Sequence, residues 1–94
     1  MLRSFADKAT EQIWRREHVR RLHPDVARTA LRKLAILDAA ATLDDADSPP
    51  GNRLELLKGD RAGQHSIRVN EQYRICFRWT AGGPEDVELT KHYE

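Results

Sequence analysis

The sequence predicts an α+β fold: two N-terminal helices packed on one face of a small, mostly antiparallel sheet of about four to five strands. Two observations carry this. Apolar residues recur every three to four positions up to residue 41 and every second position after residue 52, which is the change from helical to strand periodicity. The second half is also punctuated by Asp47-Ser48-Pro49-Pro50-Gly51, Gly59-Asp60-Arg61-Ala62-Gly63 and Ala81-Gly82-Gly83-Pro84, the composition of loops and turns between strands.

Taken in order, Met1–Asp7 reads as a short first strand with weak alternation. Lys8–Arg21 reads as a helix, because Phe5, Ala9 and Ile13 recur at i, i+4 and i+8 and no Gly or Pro interrupts it. His23-Pro24 ends that helix. Pro24 then suits the first position of a second helix, where a missing N–H leaves no intrahelical bond unmade. Val26, Ala30, Leu34, Leu37 and Ala41 form the apolar stripe of this helix, Ala27 and Leu31 widen it, and Arg28, Arg32 and Lys33 fall mainly off it. The pattern stops at Asp44-Asp45. Arg53–Lys58 reads as a strand, with Leu54, Leu56 and Leu57. Gln64–Val69 places Ile67 and Val69 on one face and Ser66 and Arg68 on the other. Tyr73–Trp79 alternates most clearly: Tyr73, Ile75, Phe77 and Trp79 on one face, Arg74, Cys76 and Arg78 on the other. Asp86–Tyr93 is the last strand, with Val87 and Leu89 apolar.

The register of the central hairpin follows from burial. A two-residue turn at Asn70-Glu71 would set Ile67 against Arg74 and mix the faces. A three-residue loop, Asn70-Glu71-Gln72, pairs Val69 with Tyr73, Ile67 with Ile75 and Arg68 with Arg74, and keeps each face uniform. Two arginines then stand directly opposite each other, which destabilises the ladder unless an anion lies near.

Composition narrows the function classes. A chain of 94 residues, 39% hydrophobic and 33% charged, is one domain, residues 1–94, and is not disordered. No apolar run approaches the ~20 residues that cross a bilayer, and the N-terminal stretch lacks the apolar core of a secretory signal. The single cysteine, Cys76, excludes an internal disulfide framework and fits a reducing cytoplasm. His18, His23, His65 and His92 have no metal-ligand spacing, so neither metal nor cofactor is expected. Net charge is only +1, but residues 1–34 carry nine basic and four acidic side chains, and residues 52–79 six basic and three acidic. Solvated helix and strand faces account for such charge, and so does a surface that meets a polyanion.

No nucleophile motif, phosphate-binding glycine loop or paired-carboxylate site is present. What remains is a basic sheet face and the C-terminal Lys91-His92-Tyr93. That set suits RNA backbone cleavage, in which the 2′-OH is deprotonated, the pentavalent phosphate stabilised and the 5′-oxygen protonated. Arg and Lys stabilise the phosphate; His or Tyr moves protons. Each residue has a plain structural reading too. Lys58 can be a solvated strand end, and Arg74 can pair with Glu88 or another strand carboxylate. His92 can be a surface residue, Cys76 an inert half-buried one, and Trp14, Tyr73 and Trp79 core or core rim.

The run Leu57-Lys58-Gly59-Asp60-Arg61, continuing through Ser66-Ile67-Arg68-Val69-Asn70 to Tyr73-Arg74-Ile75-Cys76-Phe77-Arg78-Trp79, closely resembles the HigB-type toxins of the RelE/ParE superfamily. Arg3–Lys8 and Pro84–Leu89 are similar to that family's first and last strands. The resemblance implies a RelE-like microbial-RNase fold. It also implies a type II toxin–antitoxin toxin that cleaves mRNA in the ribosomal A site, in the cytoplasm, as a metal-independent endoribonuclease. The implied partners are the ribosome, mRNA and a HigA-like helix-turn-helix antitoxin, with operator DNA reached only through the antitoxin and no membrane. The family's strand lysine falls on Lys58 and its phosphate-binding arginine on Arg74; Arg61, Arg68 and Arg78 would contact RNA or the ribosome. The family commonly ends Asp-Tyr-His, where this chain has Lys91-His92-Tyr93, so both His92 and Tyr93 are candidates for proton transfer. Strand parity from Val87 favours His92, because it brings that residue to the Arg74 face. The alternatives are a ParE-like gyrase poison and a catalytically impaired RNA- or ribosome-binding module.

Overall fold

The computed structural model describes residues 1–91. Helices α1 (Lys8–Trp14) and α2 (Pro24–Ala39) lie against an antiparallel sheet of β1 (Glu55–Leu56), β2 (His65–Arg68), β3 (Tyr73–Thr80) and β4 (Gly83–Lys91), in the spatial order β1-β2-β3-β4. Short 3₁₀ turns at Leu43–Asp47 and Pro50–Asn52 join α2 to the sheet, and a third at Gly59–Arg61 connects β1 to β2.

The expected helix over Lys8–Arg21 ends seven residues early. Asp7 caps its start by accepting from the Thr10 N–H at 2.9 Å. Its end is closed by two backbone bonds, Arg16 N–H to the Ile13 carbonyl at 3.0 Å and Glu17 N–H to the Gln12 carbonyl at 2.9 Å. This is the Schellman arrangement, with Arg16 at φ 62° in the position glycine normally holds. The apolar stripe stops at Ile13 and Trp14, Arg15 to His18 are exposed, and Val19 and Leu22 reach the core from the connection beyond. The chain reaches α2 through a second left-handed residue, Arg21. Helix α2 starts at Pro24 as expected, capped by His23, whose Nδ1 accepts from the Asp25 N–H at 3.0 Å. It stops at Ala39, and Ala41 is exposed. There the Asp45 carboxylate accepts from the Ala41 and Thr42 N–H groups at 2.9 and 3.0 Å, starting a new turn.

The first strand expected over Met1–Asp7 reduces to one parallel bridge, Phe5 to Val87, because Asp7 is committed to capping α1. This short contact nevertheless closes the outer edge of β4. The Val87 N–H donates to the Ser4 carbonyl at 3.0 Å, and the Leu89 N–H to the Thr10 hydroxyl at 2.8 Å, so the middle of this edge is already bonded within the chain. At the far edge, the strand expected over Arg53–Lys58 is ladder-paired only at Glu55 and Leu56. Leu56 is 63% exposed.

The hairpin has the register that burial dictates: Ile67 opposite Ile75 and Arg68 opposite Arg74, with the Val69 N–H bonded to the Tyr73 carbonyl at 3.0 Å. Between β3 and β4 the register shifts once, between Cys76 and Arg78. Asp86, at φ 52°, takes up the extra residue of a bulge. Gly83 and Pro84, expected in the turn, pair with Thr80 and Trp79 and begin β4.

Ile13, Ala30, Leu34 and Leu37 from the helices meet Ile67, Ile75, Phe77 and Val87 from the sheet, and all are buried. Lys33, expected off the helical stripe, is buried as well. Its ammonium donates to Oδ1 of Asn52, which has no exposure, and Nδ2 of Asn52 donates to the Ala46 carbonyl at 2.9 Å. The 42–52 segment is thereby tied to α2. Burial, with help from neighbouring Arg32, lowers the Lys33 pKa from its ordinary 10.5.

Candidate functional site

On the helix-free face of the sheet, the Gly59–Arg61 turn lies over the strands, and its Arg61 reaches Glu88 of β4. Gly59 has φ +66°, a conformation that favours glycine, and it turns the chain just after Lys58. The turn closes with the Arg61 N–H on the Lys58 carbonyl at 3.3 Å and the Ala62 N–H on the Gly59 carbonyl at 3.0 Å. Arg61 then reaches across the sheet: Nη2 to Glu88 at 3.2 Å and Nη1 to Gln64 at 3.0 Å.

Between this turn, β3 and the end of β4 lies a groove of about 340 Å³, lined by Lys58, Asp60, Arg61, Arg74, Cys76, Thr90 and Lys91 with Leu57. Four cations therefore face one carboxylate. Lys58 is exposed, while the Arg74 side chain is only 15% exposed. Arg74 is held by the Glu55 carboxylate on β1 and donates to the Ser66 hydroxyl at 3.2 Å. The anion near the two facing arginines is thus Glu55; Glu88 belongs to Arg61. Cys76, expected half-buried, is buried at the groove floor. Burial pushes its thiol pKa up, Arg61 and Arg74 pull it back, and Glu88 adds to the rise. A protonated thiol in such a place is a poor nucleophile.

The groove thus gathers Lys58, Arg61 and Arg74. Arg68 lies beside it: its Nε donates to the Asn70 carbonyl at 3.3 Å, and it lines a second groove of about 210 Å³ with Arg53, Asn70, Glu71 and Arg74. Arg78 lines neither groove; it pairs with Asp86 at 3.6 Å, and its guanidinium lies against Gly63. The β3–β4 register is unbroken from Glu88 to Lys91, with Thr90 opposite Arg74. His92 and Tyr93, the two candidates for proton transfer, lie outside the described residues.

Residues 3–92 match the family model described as HigB-like toxin, the RelE-like toxin of the type II toxin–antitoxin system HigB. The chain belongs to the HigB-like toxin family. It is 45% identical over 93 residues to Toxin HigB-1 of Vibrio cholerae serotype O1, covering 98% of both chains. An uncharacterized protein of Haemophilus influenzae is 38% identical over 61 residues, 65% of this chain and 60% of that one. A solved YoeB–YefM complex from Staphylococcus aureus contains a chain of the same fold, at 18% identity and a TM-score of 0.58, with 99% of each chain covered. The protein is therefore a type II toxin–antitoxin toxin with a RelE-like fold. No helix among its described residues is long and apolar enough to cross a membrane.

Sequence reasoning did not place Thr90 on the toxin's groove, nor identify Glu55 as the carboxylate that holds Arg74 there. Glu55 had the pattern of an exposed strand residue and acquires meaning only by reaching Arg74 from two strands away. Thr90 was legible only as a strand residue, and its place on the groove beside Lys91 depends on the β3–β4 register.

Proposed function

We propose that this toxin is a metal-independent endoribonuclease that cuts mRNA on the translating ribosome. The observation that carries the reading is the convergence of Lys58, Arg61, Arg74 and Lys91 on one groove, immediately before His92 and Tyr93 in the chain. In the proposed reaction the 2′-oxygen, losing its proton, attacks the adjacent phosphorus. Arg74 and Lys58 stabilise the charge on the non-bridging oxygens of the pentavalent state. The 5′-oxygen leaves with a proton, and the 2′-oxygen remains bonded to phosphorus. His92 serves as the proton-transfer group, because an imidazole of ordinary pKa ~6.5 suits neutral pH better than a phenol near ~10. Arg61, Arg68 and Arg78 provide contacts to RNA or ribosome.

The groove is open to solvent and walled by one sheet and a single short turn, so it does little to orient a flexible strand, and orientation can be worth many powers of ten in rate. Dependence on the ribosome follows. Membership of a type II toxin–antitoxin family, with the likeness to the YoeB–YefM complex, supports a cytoplasmic toxin held by an antitoxin, here a HigA-like helix-turn-helix protein through which operator DNA is reached.

The test is expression of the toxin alone, followed by mapping of mRNA 5′ ends and by assays with purified ribosomes. Growth arrest with new 5′ ends in translated regions is expected, with weak cutting of naked RNA. His92→Gln should lose most cleavage and Tyr93→Phe little. Intact mRNA with a supercoiling defect would replace this reading with gyrase poisoning, and fast cutting of free mRNA would remove the ribosome from the mechanism.

A further inference from the structure

The second groove is unexplained by a single scissile phosphate. Arg68 and Arg74 face each other across the β2–β3 ladder, an arrangement that costs stability. Glu55 answers only Arg74, and Arg68 has a backbone carbonyl as its partner. Arg53 brings a third guanidinium to the same groove, and no hydrogen bond or ion pair engages its side chain among the described residues. Glu71, the single carboxylate there, is exposed. Arg74 lines both this groove and the larger one, and among the described residues nothing else does.

Two basic hollows joined through one arginine suit a ligand that carries anions at regular intervals along a chain. Guanidinium forks match phosphate oxygens two at a time, which lysines do not. We propose that the groove of Arg53 and Arg68 holds a non-scissile phosphate of the same RNA strand, adjacent to the phosphate at Arg74. The inference rests on the RNA reading above and adds to it a second subsite that fixes the direction of the strand across the sheet. The like-charge pair on the ladder is then a feature retained for binding, relieved when the RNA arrives.

The experiment uses the whole toxin and a short single-stranded oligodeoxynucleotide, which has no 2′-OH and cannot be cut. Affinity is followed by fluorescence anisotropy across a salt series. Arg53→Gln with Arg68→Gln should weaken binding roughly tenfold at low salt and flatten the slope of log K against log salt by about 0.7, the value for one phosphate contact on a single strand. Arg53→Lys with Arg68→Lys should keep the slope, because the charge remains. Arg3→Gln, beside Gly82 at the other end of the β3–β4 pair, should match the wild type. Thermal melting of the Arg68→Gln protein should be no lower than wild type, since a like charge has been removed.

An unchanged slope in the double Gln variant overturns the proposal, and so does a wild-type toxin with no salt-dependent binding. Loss of binding to an oligoglutamate peptide with oligonucleotide binding retained would give the groove to a protein partner and overturn it too. A flattened slope in a toxin that leaves cellular mRNA intact would uphold the subsite while rejecting the nuclease.

Discussion

The two faces of β3 are made from alternate residues of one eight-residue strand, yet they do opposite work. Ile75 and Phe77 have no exposure and sit against Leu34 and Leu37 of α2 within a continuous apolar cluster. Arg74 and Cys76 face the other way, under a cover of one 3₁₀ turn and a groove open to solvent. The apolar face gains by excluding water. The basic face carries a buried thiol, a guanidinium held by a carboxylate and a ladder pair of like charge, each a cost or a near balance. Stability concentrated on one face leaves the other free to keep cations together.

The largest effect that would break this division is on the apolar side. Phe77→Ala should destabilise the toxin by about 3–5 kcal/mol, read as a fall in the midpoint of denaturant unfolding. A loss under 1 kcal/mol would mean that the helices do not depend on β3 for their packing.

Arg74→Ala is the counterpart on the basic face. Loss of one donor to a developing phosphorane typically costs ~2.7–4 kcal/mol of transition-state stabilisation, or about 10²–10³ in rate. Under the proposed nuclease reading, ribosome-dependent cleavage should fall by that factor while the melting temperature stays near wild type. A collapse of the fold would make Arg74 structural, and undiminished toxicity at matched expression would remove it from the site.

A third substitution sharpens the contrast, because the α2 side also holds a cation. Asn52→Ala strips the buried Lys33 ammonium and the Ala46 carbonyl of their partner and should cost about 1–3 kcal/mol at neutral pH. The Lys33 pKa is lowered on folding, so between its folded value and 10.5 the unfolded chain binds more protons and stability rises with pH. The penalty of Asn52→Ala should therefore shrink as pH is raised through that interval. A pH-independent penalty would show that the charge of Lys33 is not what Asn52 compensates.

The smallest expected effect lies away from both faces. Arg16→Gly should stabilise the toxin by roughly 0.5–1 kcal/mol, since a left-handed residue other than glycine is strained by about 1–2 kcal/mol and glycine returns part of that as backbone entropy. A loss of stability would mean that the Arg16 side chain contributes more to the structure than its exposure indicates.

The parts of this protein that periodicity reaches are legible in the amino-acid sequence alone. Helix α2 has a long unbroken stripe and a proline at its first position, and the β2–β3 register follows because a one-residue slip would turn every core side chain outward. The same alternation places Arg68 opposite Arg74 and sets Arg74, Cys76 and Arg78 on one face. Lys58 and Arg74 stand out by resemblance to a family, and Arg61 by its place in the Gly59–Gly63 turn.

Other features depend on contacts between segments distant in the chain. The end of α1 is set by a backbone closure at an arginine, so no glycine marks it. The first strand is lost because one aspartate caps a helix. Lys33 and Asn52 are nineteen residues apart, and each looks like an ordinary surface residue until α2 and the 42–52 segment meet. The groove itself joins residues from the β1–β2 connection, β3 and the end of β4. Local sequence sets the period and the face of each residue, since those depend on backbone geometry alone. Which cations share a groove, and which carboxylate holds Arg74, is decided only when the strands pair and the turn folds across them, because that pairing sets the distances on which charge interactions depend.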